Sequence, residues 1–164
     1  MAALQTQPPE WVHTAPVQPS ATREIAATAD EVFEALADHE TWPEWFTSLD
    51  RVERFGDLDD GVGSKRRVFI NKRVSVDEEF IVWEPGKAWG FTILDASIGG
   101  LRSMNELVTI QEIGPDRVRV TYKMGIAPKA YFAPIVRLAK RGLEKNLGAA
   151  LENLGAHIAD RRVS

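Results

Sequence analysis

From Leu49 to Ala127 the sequence is cut at short intervals by residues that favour turns. That segment decides most of what the chain can become. The cuts fall at Asp57 to Gly63, Asn71-Lys72, Pro85-Gly86, Gly99-Gly100 and Gly114-Pro115-Asp116. Pro-Gly suits the centre of a type II turn, and Gly-Gly suits the primed hairpin turns. The runs between the cuts are rich in Val, Ile, Phe and Thr, so the pattern predicts six antiparallel strands in a meander. A further strand is expected over Val17 to Ile25, ahead of this segment.

Between that first strand and the meander, Thr28-Ala29-Asp30-Glu31 has the form of a capping box, with a Thr cap and a Glu three residues on. The helix it opens carries Val32, Phe33 and Leu36 and ends near Asp38. Pro43 suits the start of a second, short helix over PEWF. The last segment, Pro128 to Arg162, predicts one long helix. Its apolar stripe is Leu143, Leu147, Leu151, Leu154 and Ile158, spaced as one helix face requires. Beside the stripe run Ala139, Gly142, Ala149 and Ala156. Gly142 serves either close packing on a sheet or room for a ligand. The expected architecture is α+β: a curved antiparallel seven-stranded sheet wrapped around a long C-terminal helix, with two short helices after strand 1. Such an arrangement tends to enclose a cavity.

The 164 residues suit one domain, expected over 17–162. Residues 1–16 contain three of the four prolines of the first twenty and are expected as an extended, weakly ordered lead-in. They have neither the basic region nor the apolar run of a signal peptide. With no cysteine, the composition fits a reducing compartment, and the expected location is the cytoplasm. A net charge of -4 argues against nucleic acid as a partner. Basic clusters occur at Lys65, Arg66, Arg67, Lys72 and Arg73, and at Arg137, Lys140, Arg141 and Lys145. These are either solvated faces or points of transient contact with an anionic membrane. Nothing in the chain fixes an oligomeric state.

Hairpin turns set register, and register sets which residues share a face. Taking Asn71-Lys72 and Pro85-Gly86 as two-residue loops places Phe69, Val76, Phe80, Trp89, Phe91 and Ile93 inside. Two-residue pairing across Gly99-Gly100 and a three-residue loop at Gly114 to Asp116 add Met104, Val108, Tyr122 and Met124. The same face collects the charged residues Lys65, Arg67, Glu78, Asp95 and Glu106, with Arg66 opposite Asp77 on the wet face. Inward charges must be paired or hydrated. They either sit at an open rim in internal ion pairs or anchor a ligand in an apolar cavity. The candidate ligand-binding set is this inner face together with Trp42, Trp45, Phe46 and Gly142. Trp42, Trp45 and Phe46 either plug one end of the core or line the ligand's way in. For catalysis the candidates are Glu78 or Glu106 as a base, with Arg67 and Tyr122 to polarise a carbonyl.

His13, His39 and His157 have no metal-ligand spacing, so no metal site is expected. Asp57-Leu58-Asp59-Asp60-Gly61 fails as a calcium loop, since its glycine is one position early and Val68 stands where the bidentate Glu belongs. There is no phosphate loop, dinucleotide fingerprint or nucleophile elbow, and no cofactor is expected.

The stretch from Ile25 to Glu53 resembles the opening of the START-like superfamily. It is most similar to the branch of polyketide cyclase/dehydrase and lipid transport proteins. The matching words are Ala29 to Asp38, the W-P-x-W of Trp42 to Trp45, and Val52-Glu53. Gly61-Val62-Gly63 before basic residues, and Trp83-Glu84-Pro85 before Lys87, are also similar to family positions. The resemblance spans roughly residues 20 to 160. It implies a helix-grip fold similar to that of the birch-pollen-allergen group, with a hydrophobic ligand held between sheet and helix. It leaves three readings: a carrier of a lipid, polyketide or isoprenoid; a cyclase, aromatase or dehydratase; and a protein-interaction member, toxin-like or ribosome-associated.

Overall fold

A computed structural model describes residues 1–164. The elements in chain order are β1 (Ala2–Ala3), β2 (Ser20–Ile25), α1 (Ala29–Ala37), α2 (Trp42–Trp45), β3 (Leu49–Phe55), β4 (Lys65–Ile70), β5 (Val74–Glu84), β6 (Ala88–Ala96), β7 (Leu101–Gly114), β8 (Arg117–Pro128) and α3 (Ala133–Val163). Seven strands form one antiparallel sheet in the order β2-β8-β7-β6-β5-β4-β3, and β1 pairs with β6. The 31-residue α3 is gripped by the concave face of the sheet. This is the helix-grip architecture.

α1 begins where the capping box predicts: Thr28 Oγ1 accepts from Glu31 N at 3.2 Å, and Glu31 Oε2 accepts from Thr28 N at 2.8 Å. Leu147, Leu151, Leu154 and Ile158 of α3 are buried, each contributing roughly 1.5–3 kcal/mol by leaving water. Leu143 is half-buried at the edge of the same stripe. Close approach of α3 to β2 occurs at Gly148, where a Cβ would collide with the Arg23 guanidinium. Gly142 is exposed, with nothing within 4 Å of an added Cβ.

Of the first sixteen residues, expected to be weakly ordered, residues 2–5 hydrogen-bond along β6 and the start of β7, and those that follow lie along the outer face of the sheet. Val12 and Ala15 are buried there. Asn105 Nδ2 donates to Gln7 O at 3.1 Å and Pro8 O at 2.9 Å. Gly125 lets this backbone approach, because a Cβ would lie 2.9 Å from Val12 Cα.

The β5–β6 loop has three residues and not two, with Glu84 opposite Ala88 and Trp83 opposite Trp89, and an extra residue at Ile81 restores Phe80 opposite Phe91. Beyond that hairpin, register departs from the expected pairing in three places. The β4–β5 loop has three residues, with Ile70 opposite Val74. Asn71 and Lys72 both take left-handed φ, 49° and 57°. The turn is held from β3, where Asp50 Oδ2 accepts from Lys72 N at 2.6 Å. One extra loop residue slips β4 by one position and exchanges its faces. Arg66 and Val68 therefore point inward, and Arg67 and Phe69 outward. Arg67 forms two bonds with Asp77 at 2.6 and 2.8 Å, and Phe69 lies under the Arg51 guanidinium at 3.6 Å. Lys65 pairs outward with Glu79 at 3.5 Å.

The second departure is a bulge in β6: Glu78 is opposite Ile93 but Asp77 is opposite Asp95. The extra residue, Leu94, turns Asp95 to the outer face. The third is a two-residue displacement between β6 and β7, which puts Phe91 opposite Glu106 and Trp89 opposite Val108. An even shift preserves faces, so Met104, Glu106 and Val108 stay inward. In β7–β8, Ile110 is opposite Val120, Val108 opposite Tyr122, Glu106 opposite Met124 and Met104 opposite Ile126, as the hairpin reading predicts.

Candidate functional site

Between the concave face and α3 lies a cavity of about 360 Å³, within the roughly 300–1,000 Å³ usual for small-molecule sites. Twenty of its 25 lining residues are hydrophobic, so most of an occupant's surface would meet hydrocarbon. The strands supply Val68, Ile70, Val76, Phe91, Ile93, Met104, Met124 and Ile126, and α3 supplies Val136, Ala139 and Leu143. The mouth lies between the β6–β7 loop and the start of α3, where the lining residues Ile98 and Ile135 are exposed.

The other end is closed by Trp42 and Phe46. There Arg66, Glu78, Glu106 and Tyr122 converge, each at most 9% exposed. Arg66 Nε donates to Glu78 Oε2 at 2.5 Å. Its guanidinium lies over the Trp42 ring at 4.3 Å, with Trp89, Phe91 and Phe80 at 5.0, 5.2 and 5.3 Å, so aromatic faces replace the water a cation needs. Arg66 Nη1 is 3.1 Å from His39 Nδ1. A guanidinium has no acceptor, so Nδ1 accepts and the imidazole proton sits on Nε2, facing Asp60 at 3.8 Å. The Tyr122 hydroxyl donates to Glu106 Oε2.

One guanidinium neutralises one carboxylate, and geometry gives it to Glu78. Burial, then repulsion from Glu78, pushes the Glu106 carboxyl up to about 8, against the Tyr122 hydrogen bond and the more distant pull of Arg66. Glu106 is thus a carboxylic acid at neutral pH. Burial also raises Glu78, opposed by Arg66. Tyr122 is raised well above 10 by burial and by Glu106. Burial, then Arg66 and Arg54, holds His39 down to about 3. The closed end therefore offers a neutral acid, a phenol and one ion pair.

These shifts act on stability with opposite signs. The folded pKa of Glu106 lies above its unfolded value, so its contribution is full below about pH 4.5 and is lost as pH rises to about 8. The folded pKa of His39 lies below its unfolded value, so its contribution is full above about pH 6.5 and is lost as pH falls toward 3. The two oppose each other between pH 4.5 and 6.5, and Glu106 acts alone of the pair from 6.5 to 8. Over that upper window the urea midpoint is expected to fall, with stability dropping by up to about 1.4 kcal/mol per pH unit. Glu106→Gln should flatten the fall. A wild-type midpoint that does not change across the window would contradict a buried, protonated Glu106.

Of the residues the sequence singles out, Trp42, Phe46, Val76, Glu78, Phe91, Ile93, Met104, Glu106, Tyr122 and Met124 line the cavity. Trp45, Phe80, Trp89 and Val108 are buried behind that wall, with Trp45 packed on Trp42 at 4.5 Å. The rings of Trp42 and Phe46 close the blind end and do not line the way in. Arg67, Phe69, Asp95 and Gly142 do not reach the cavity: the β4 slip removes the first two, the Leu94 bulge the third, and Gly142 lies on the exposed side of α3. The residue missed is Arg66. A signal for it exists, since placing Val68 opposite Val76 aligns a row of β-branched residues and puts Arg66 opposite the inward Glu78. No group of three or more His, Asp or Glu side chains is placed to hold a metal ion, and no helix is long and apolar enough to cross a membrane.

A sheet closed on a long helix around an apolar cavity with one buried charged end is a ligand-binding fold of the helix-grip type. The chain belongs to the polyketide cyclase / dehydrase and lipid transport family, whose model matches residues 16–159. An uncharacterised protein of Mycobacterium tuberculosis is 33% identical over 144 residues, covering 84% of this chain and 86% of its own. Among solved structures, the Zhui aromatase/cyclase from Streptomyces sp. R1128 superposes with a TM-score of 0.74 at 17% identity, covering 90% of this chain and 95% of its own. A START superfamily protein from Mycobacterium smegmatis gives a TM-score of 0.65 at 19% identity, covering 89% and 96%. Truncated norcoclaurine synthase from Thalictrum flavum gives 0.68 at 16% identity, covering 96% of both chains. At these identities the structural likeness speaks to the fold.

Proposed function

We propose that the protein binds, and in doing so carries, a hydrophobic small molecule such as a lipid, polyketide or isoprenoid. The apolar body lies along the strand and α3 walls, and the polar end meets Glu106, Tyr122 and Arg66. The observation that carries this reading is a mostly apolar cavity whose charged and acidic lining, Arg66, Glu78 and Glu106, gathers at one buried end, with the half-buried Ser48–Asn146 pair as its other polar lining, the usual build of a small-molecule site. The family description, which includes lipid transport, agrees with it.

Met124 stands opposite Glu106 and lines the cavity. Met124→Trp fills the space beside the polar end. It is expected to lower the affinity for an apolar fluorescent dye at least tenfold, with little change in the urea midpoint. Unchanged dye binding by a folded Met124→Trp protein would place the dye elsewhere and count against the reading.

The Glu106–Tyr122 pair favours a second reading, an enzyme of the cyclase or dehydratase type. A buried carboxylic acid can give its proton to a departing hydroxyl group. The resulting carboxylate can then take the proton beside a carbonyl, which leaves an enone and water and restores the acid. Turnover of a β-hydroxy ketone that disappears in Glu106→Gln while binding persists would move the assignment to this reading.

A further inference from the structure

Arg66 is the one cation that lines the cavity, and its charge is already paired with Glu78, although only two of the five guanidinium N–H donors are engaged. Nε holds Glu78 at 2.5 Å, Nη1 meets His39 Nδ1 at 3.1 Å, and the planar group is stacked on Trp42. The other charged or acidic groups lining the cavity are two glutamates, of which only Glu78 has this cation as a partner. The closed end thus balances without a ligand. It holds one positive charge, one carboxylate against it, and a second carboxyl bonded only to a neutral phenol.

A ligand that brought in a carboxylate would place a third acidic group around one guanidinium. The cavity would then hold uncompensated negative charge at a site walled by Trp42, Phe91 and Tyr122, where little water can screen it. A ligand ending in a ketone, phenol or alcohol adds no charge. It finds both a donor and an acceptor in the Glu106 carboxyl and the Tyr122 hydroxyl. We propose that this cavity selects hydrophobic ligands whose buried end is an uncharged oxygen group over those that end in a carboxylate. Glu78 sets this preference by occupying Arg66. The inference rests on the binding reading above and names the ligand class for that same site.

The test uses a matched pair of probes, dodecanol and dodecanoic acid, titrated at neutral pH against the intrinsic fluorescence of the full chain, which has Trp42 at the site. Dodecanol is expected to bind at least tenfold more tightly. Glu78→Gln frees the guanidinium and is expected to reverse the order, with the acid now tighter. Asp77→Asn, which removes the adjacent charge on the outer face, should leave the order as in the wild type. Equal affinities in the wild type, or a tighter acid, would overturn the selectivity while leaving the cavity as a binding site. The wild-type comparison decides this even if Glu78→Gln fails to fold. An unchanged order in a folded Glu78→Gln protein would overturn the role given to Glu78. Failure of both probes to bind the wild type would overturn the binding reading, and this inference with it.

Discussion

Replacing Arg66 with methionine is expected to destabilise the fold by about 3–5 kcal/mol, the loss typical of breaking a buried ion pair by removing one partner. Arg66 is 1% exposed and Glu78 4% exposed, so the abandoned carboxylate has no water to turn to. His39 Nδ1 loses its donor in the same step. Because whole-domain stabilities are only roughly 5–15 kcal/mol, this loss should be plain in a urea melt. The double replacement Arg66→Met with Glu78→Met removes both charges and is expected to recover most of the loss, since a packed apolar pair is often as stable as a buried salt bridge. A double variant as unstable as the single would show that Arg66 matters through its stacking on Trp42 and Trp89, and that the ion pair contributes little.

Trp42→Ala is expected to be of similar size, about 3–5 kcal/mol, as for other large aromatics removed from a core. Trp42 joins the parts of the closed end. Its ring stacks on Trp89 at 4.9 Å, packs on Trp45 at 4.5 Å and faces the Arg66 guanidinium. Its Nε1 donates to Leu36 O at 2.9 Å and ties α2 to the end of α1. Alanine would open the blind end to water and bring the Glu106 carboxyl down toward the usual carboxylate range, since burial is the main cause of its rise. Trp42→Phe keeps a ring over Arg66 but leaves the Leu36 carbonyl unpaired, at a cost of about 1–3 kcal/mol. Urea melts of the two variants should therefore rank Phe between wild type and Ala. Equal losses would mean that the hydrogen bond, and not ring packing, carries the effect.

The difference between what the sequence makes legible and what it does not comes down to how far each contact reaches. The α1 cap is local, and Thr28 with Glu31 announces it. The α3 stripe is periodic, and Leu147 to Ile158 announce it. The β7–β8 register comes from a short hairpin whose strands carry matched apolar residues. The β4–β5 turn is different. Its extra residue depends on Asp50, twenty-two positions before Lys72, which bonds the turn while Asn71 and Lys72 hold left-handed backbone. Local turn chemistry favours two residues there, and the long-range contact prevails. Since β4 reads Lys-Arg-Arg-Val-Phe-Ile, the observed register turns Arg66, Val68 and Ile70 inward and the other would turn Lys65, Arg67 and Phe69 inward; each puts one arginine inside, so alternation within the strand does not choose.

The site inherits this division. Glu78, Glu106 and Tyr122 lie on strands whose faces the alternation identifies, and the structure brings them together. Arg66 lies on the strand that slipped, so alternation alone puts its neighbour Arg67 in its place. The Leu94 bulge likewise moves Asp95 outward, because a single inserted residue reverses the face of each residue beyond it in the strand. The α3 and loop residues at the mouth, such as Ile98 and Ile135, carry no signal in the sequence, since their role arises only where helix and sheet diverge.

The most direct test of the central claim is native mass spectrometry of the protein purified from its own host without detergent or denaturant. The account predicts a discrete excess mass that organic extraction removes and that proves to be a hydrophobic molecule ending in an uncharged oxygen group. Protein at its bare chain mass that also fails to take up dodecanol or an apolar dye would contradict the claim that this cavity is a ligand site.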